Sequence, residues 1–99
     1  MASNVVASEL SAVVGGFQVL DFSTASSIAD AWSGTIPEAR HFIIQPDGAD
    51  LEWRADGTSP TAGNGIKITD GAMQIFENQR FLLTQAEFLG GNARVHLFG

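Results

Sequence analysis

The sequence predicts an all-β fold: a small antiparallel β-sandwich or barrel of about six or seven short strands, preceded by an N-terminal arm or short helix. Two observations predict it. Short segments alternate apolar and polar residues with a period of two, the mark of half-buried strands. Pro46-Asp47-Gly48, Asp56-Gly57 and Asp70-Gly71 punctuate them at intervals of roughly ten residues, the spacing of strands in sandwiches and barrels. A chain of 99 residues is expected to form one domain. The boundaries expected here are an arm over residues 1–15 and a single β domain over residues 16–99.

Residues 1–14 allow three readings: a tail, an arm that docks on a neighbouring subunit, or an edge strand. Val6, Leu10, Val13 and Val14 fit one face of an amphipathic helix, with Ser3 or Asn4 as N-cap and Gly15-Gly16 as the stop. The first secure strand runs from Gly16 to Phe22. Ser23 to Ser27 is loop or weak edge strand. Ile28 to Trp32 reads as irregular, with one helical turn or a short strand as the alternatives.

His41-Phe42-Ile43-Ile44-Gln45 is rich in β-branched and aromatic residues and reads as a strand ended by Pro46-Asp47-Gly48. In Leu51-Glu52-Trp53-Arg54, Leu51 and Trp53 share one face and Glu52 and Arg54 the other. Residues 58–65 are too dense in turn formers for helix or central strand. Ile66 to Thr69 alternates again, and Ala72 to Glu77 alternates with Met73 and Ile75 on one side. Asn78-Gln79 turns the chain, and Arg80 to Gln85 reads as a strand apolar on both faces at its centre. After the Gly90-Gly91-Asn92 turn, Ala93 to Phe98 is a strand with Val95 and Leu97 inward and Arg94, His96 and Phe98 outward.

Composition excludes several classes of function. The net charge is −6, and the five Lys and Arg residues are scattered. Nucleic-acid binding needs clustered cations to neutralise phosphates, so no nucleic-acid partner is expected. The same acidity argues against an anionic membrane surface, and no apolar run approaches the ~18 residues of a transmembrane helix. Cysteine is absent, which removes disulfides, thiolate metal sites and a Cys nucleophile.

Constellations for catalysis are equally sparse. His41 and His96 sit at outward strand positions without triad order or His-x-x-x-His spacing. Asp47, Asp50 and Asp56 crowd one region but lack the spacing of a calcium loop, and turn chemistry accounts for each. Gly63-Asn64-Gly65 lacks the Lys-Ser/Thr and the helix of a phosphate loop. No catalytic residue, cofactor or metal is expected, and the chain reads as a non-enzyme.

Ile36-Pro37-Glu38-Ala39-Arg40, Ile43-Ile44-Gln45, Leu51-Glu52-Trp53-Arg54-Ala55-Asp56-Gly57-Thr58-Ser59-Pro60-Thr61-Ala62 and Gly65-Ile66 together carry a resemblance. They are similar to a small β module common among tailed-bacteriophage structural proteins. That module has a P-x-A-R approach, an I-Q strand, a W-R-x-D-G-T-x-P-T-A hairpin and loop, and a following G-I/M-x-L strand. The likeness spans roughly residues 17–99 and is most specific from Trp53 to Ala62. Thr69-Asp70-Gly71-Ala72 departs mildly from the pattern, and residues 1–14 have no counterpart in it.

The resemblance implies a virion structural protein, foremost a capsid decoration or cement protein that binds the major capsid protein lattice. It would be made in the host cytoplasm and end on the capsid surface. A head-tail connector, tail or baseplate component is one alternative, with other virion proteins as partners. A carbohydrate-binding module displayed on the virion is another, with Trp32 and the Asp-rich turns as its surface. The residues expected to meet a partner, or a second copy in a homo-oligomer, are Thr58, Ser59, Pro60, Thr61 and Asn64 in the loop, Val5, Val6 and Leu10 in the arm, and Phe98 near the C-terminus.

Overall fold

In Asn92–Phe98, alternate side chains are buried: Ala93, Val95 and Leu97 point inward, while Arg94 and His96 face solvent. This strand, β8, is one of the two inner strands of a four-stranded sheet. The computed structural model describes residues 15–99, so the expected arm, with Val5, Val6 and Leu10, lies outside the described residues. The other elements are β1 (Gly16–Asp21), β2 (Ser26–Ser27), α1 (Ile28–Ala31), β3 (His41–Pro46), β4 (Leu51–Arg54), β5 (Ile66–Ile68), β6 (Gln74–Phe76), α2 (Leu82–Gln85) and β7 (Glu87–Leu89).

Two four-stranded antiparallel sheets result, ordered β1-β8-β3-β6 and β2-β7-β4-β5. The fold is the expected all-β class, in its sandwich form. Only β4 and β5 are consecutive strands of one sheet; every other described connection crosses from one sheet to the other. The glycine corners are therefore sheet-to-sheet crossings more than hairpin turns. Gly48, Gly57 and Gly71 all take positive φ, as Asp-Gly turns require.

The corners lock to one another at one end. Gly71 N donates to Pro46 O (3.1 Å), Gly48 N to an Asp70 carboxylate oxygen (2.8 Å), Asp70 N to Asp50 Oδ1 (2.8 Å) and Asp47 N to Asn92 O (2.9 Å). Gly90 has a different reason to be glycine. A Cβ there would run into the Asp50 carbonyl oxygen and crowd Leu51.

The inner faces meet in one core that includes Phe22, Ile28, Phe42, Ile44, Leu51, Phe88, Val95 and Leu97. Phe42 and Phe76 stack with ring centroids 4.5 Å apart, and Trp53 packs edge-on to Phe76 at 5.4 Å. Such pairs stabilise by about 0.5–1.5 kcal/mol beyond the apolar area they bury.

Several elements differ from the sequence reading. Eight strands are described: the weak segment before Ile28 ends in the two-residue β2, and Glu87–Leu89, not expected as a strand, forms β7, which together outnumber the one expected strand that is lost. The segment expected to be irregular, Ile28 to Trp32, forms the helical turn α1. Ser27 caps it, its Oγ accepting from Asp30 N at 3.1 Å, and Trp32 N closes the turn on Ile28 O.

Arg80 to Gln85, expected as a strand, is a turn leading into α2. Leu82 and Leu83 are both buried while Phe81 is exposed. Adjacent buried leucines read equally as strand or helix in a short run, and packing against α1 decides for helix. Pro46, expected in the turn, is the buried last residue of β3. Met73 and Ile75 do share a side, and it is the solvent side; Phe76 carries β6 into the core.

G90A should lower unfolding free energy by about 1–3 kcal/mol, the usual cost of forcing extra volume into a packed site. G91A, whose Cβ would meet only the Ala49 methyl at 3.6 Å, should change it by less than about 1 kcal/mol. Urea denaturation of both variants checks the difference.

Candidate functional site

The two sheets present very different outer faces. On β2-β7-β4-β5 the outward residues are mostly polar, Leu89 being an exception, and the chain's own β4–β5 connection folds back towards them. Gly63 N donates to Glu52 Oε2 at 2.9 Å, and Ser59 Oγ donates to Glu87 Oε1 at 2.6 Å. Asn64 N closes a turn on Thr61 O, and Thr58 N donates to Asp56 Oδ1 at 3.3 Å. Glu52 Oε1 is buried without a partner, so the loop seals over that carboxylate.

These contacts place the expected loop residues. Thr58, Ser59, Thr61 and Asn64 are exposed, whereas Pro60 is buried and offers no contact surface. Beside the loop lies an open depression of about 500 Å³ lined by Trp53, Ile66, Asn64 and the Arg54–Asp56 ion pair. Trp53 is half-buried there, its ring set between Phe76 and Phe88. Arg54 Nε donates to Asp56 Oδ1 at 3.1 Å, and this contact holds the Asp56 carboxyl below the usual carboxylate range.

Among the described residues nothing covers the outer face of β1-β8-β3-β6, which mixes large apolar side chains with Arg94, His96 and Gln45. Register aligns Phe17 with His96, His96 with Ile43, and Ile43 with Ile75, a row across all four strands. Val19, Arg94 and Gln45 form a second row beside it, with Met73 at its end. Phe17 is 58% exposed, Val19 54%, Met73 60% and Ile75 46%. Of the six large apolar side chains most exposed among the described residues, these four share this face. Only Ile66 and Phe81 lie elsewhere. The four lie at the two edges of the face, with His96 and Arg94 of β8 between them; exposed apolar side chains gathered on one face point to an interaction surface more than the same residues scattered singly.

Among the described residues, no strand pairs with β1 on the side away from β8. Gln18 clamps the segment after α1 instead, accepting from Ser33 N and donating to Ser33 O, both at 2.9 Å.

Phe98, expected to be exposed, is half-buried and stacks on His41 with centroids 5.3 Å apart. His41 Nδ1 accepts from Asn78 N at 3.0 Å, so this imidazole serves the turn at Asn78. His96 lies in the exposed row. The three clustered aspartates are each engaged locally: Asp47 with Arg94 at 3.1 Å, Asp50 with Lys67 at 3.8 Å, and Asp56 with Arg54. Among the described residues no three His, Asp or Glu side chains converge as metal ligands would. Trp32 is buried, 8% exposed, and gives no platform for stacking a sugar.

The sequence reading missed the row itself. Phe17, Val19, Ile43, Met73 and Ile75 belong to strands that are apolar on both faces, and alternation alone does not say which face is the core. The pairings of β1 and β3 with β8, and of β6 with β3, sort them.

Comparison with protein-family models, with curated proteins and with solved structures finds no match to this chain.

A carboxylate held below its unfolded pKa contributes stability above the unfolded value and loses it as pH falls through the folded value. The Asp56 carboxyl should therefore titrate by NMR below the usual carboxylate range in the native protein, and move up towards it in R54A. Because the pair is solvent-exposed, its effect on overall stability should be small.

Proposed function

We propose that this chain is a non-enzymatic structural protein, held to a repetitive assembly through the outer face of β1-β8-β3-β6. The observation that carries this reading is the gathering on this face of exposed Phe17, Val19, Met73 and Ile75, with half-buried Ile43 in line with them. Burying side chains of this kind contributes about 1.5–3 kcal/mol each when complete. Four or five of them give a contact of useful strength without any catalytic group.

The resemblance of residues 36–66 to the tailed-phage β module supplies the assembly. On that reading the protein decorates the capsid, binding the major capsid protein lattice at the surface of the virion after synthesis in the host cytoplasm. Many copies, each adding binding free energy only to the assembled shell, stabilise that shell by mass action. The net charge of −6 suits a site outside the packaged nucleic acid. The loop at residues 58–65 enters this reading as an outer surface, since its backbone is already tied to Glu52 and Glu87.

I43D and F17D place a charge in the row without touching the core and should abolish co-sedimentation of the protein with undecorated capsids. T61D, on the opposite face, should bind as the wild type does. Loss of binding in T61D with I43D unaffected would reverse the assignment of faces. Quantitative mass spectrometry of virions should find a copy number near that of the major capsid protein; a ring of a few to a dozen copies would make it a connector or tail component.

A further inference from the structure

The loop at residues 58–65 carries the chain's one Asn-Gly pair, Asn64-Gly65; Asn4, Asn78 and Asn92 are followed by Val, Gln and Ala. An asparagine followed by glycine can react with its own backbone. The amide nitrogen of the next residue attacks the side-chain carbonyl carbon, and a glycine there puts no side chain in the way. Three Asp-Gly pairs, Asp47-Gly48, Asp56-Gly57 and Asp70-Gly71, could close the same five-membered ring with loss of water in place of ammonia.

The fold sorts these four pairs. Gly48 N already donates to an Asp70 carboxylate oxygen at 2.8 Å, and Gly71 N to Pro46 O at 3.1 Å, so neither nitrogen is free to attack. At Asp56-Gly57 the carboxylate accepts from Arg54 Nε at 3.1 Å, a contact that keeps it ionised. An ionised carboxylate has no leaving group until it is protonated. Asn64 is different. It is exposed, and among the described residues neither its carboxamide nor Gly65 N makes a hydrogen bond. Asn64 N on Thr61 O and Gly63 N on Glu52 Oε2 hold the chain just ahead of the reacting atoms without engaging them.

We propose that Asn64 is a site of spontaneous deamidation, the one such pair in the described fold with side chain and backbone nitrogen both free to react. Gly65 N gives its proton to hydroxide and bonds to Asn64 Cγ. The Cγ–Nδ2 bond breaks, and the nitrogen leaves as ammonia with a proton taken from water. A water molecule then opens the ring at one of its two carbonyls. One opening gives aspartate; the other gives isoaspartate, whose main chain runs through the former side chain. The sum converts one amide and one water to one carboxylate and one ammonium ion.

Either product adds a carboxylate to the depression lined by Trp53, Ile66 and the Arg54–Asp56 pair. Isoaspartate also lengthens the main chain by one carbon just ahead of β5. Gly65 has little room to shift, since even a Cβ there would stand 3.1 Å from Trp53 O and 3.2 Å from Glu52 Cβ. The short β4–β5 pairing, which starts at Trp53 and Ile66, is the part that gives way. The site is on the sheet opposite the apolar face, so this inference is independent of the docking reading above.

The test ages the full chain at neutral pH, folded and in guanidinium chloride, and maps its peptides with electron-based fragmentation, which separates aspartate from isoaspartate. In the folded chain residue 64 should convert several times faster than Asn78 or Asn92, and at close to its rate in denaturant. Conversion no faster than at Asn78 and Asn92, or many times slower folded than unfolded, would overturn the proposal. On longer incubation Asp47, Asp56 and Asp70 should isomerise in denaturant and stay intact in the folded chain. R54A should let Asp56 isomerise in the folded chain, and an intact Asp56 in that variant would overturn the role given to Arg54. Amide hydrogen exchange at Ile66 and Lys67 should quicken in the aged protein and stay as in the wild type in N64D. Equal exchange in the aged protein and N64D would overturn the effect on β5.

Discussion

The register of β8 is the constraint on which the structure depends. It pairs on one side with β1 and on the other with β3, so its alternation decides which residues of three strands enter the core. Ala93, Val95 and Leu97 are buried with Leu20, Phe42 and Ile44, and the complementary set, Phe17, Val19, Arg94, His96 and Ile43, is left outside. A slip of one residue would exchange the two sets. The corner at Gly90 helps prevent it, since no other residue fits against the Asp50 carbonyl, and Asp47 N bonded to Asn92 O fixes the start of the strand.

From that register the difference between the two faces follows. One sheet's exterior is sealed by the chain's own loop, tied through Glu52 and Glu87, and the other, among the described residues, exposes most of the large apolar side chains that lie outside the core. A domain of this size has little apolar surface to spare from its core. Four large side chains placed on one solvent face represent stability forgone, which is expected where a surface has a binding role. The edge of β1, unpaired among the described residues, continues the same face, while the other edge strands, β2, β5 and β6, are only two or three residues long and offer little template for pairing.

Much of the fold was legible in the residues. The Asp-Gly corners appear where positive φ is required, and β8 has the inward and outward sets its alternation implied. What stayed hidden depended on long-range packing. Leu82 and Leu83 fit a strand equally well until α1 packs against them, and Pro46 looked like a turn residue until its ring was placed in the core. For the candidate site, the loop at residues 58–65 was conspicuous because turn formers are conspicuous. The apolar row was not, since Phe17, Ile43 and Ile75 lie far apart in sequence and are brought into line only by the β3–β6 pairing and, for Phe17, by β8.

The central claim, that the protein is held by the outer face of β1-β8-β3-β6, is tested most directly by hydroxyl-radical footprinting of the particle-bound protein. Met73, Phe17 and Ile75 should be protected from oxidation, with Ile66 and Phe81 labelled as in the free protein. Oxidation of Met73 and Phe17 on the particle, with protection concentrated at Ile66 and the loop beside it, would contradict the account.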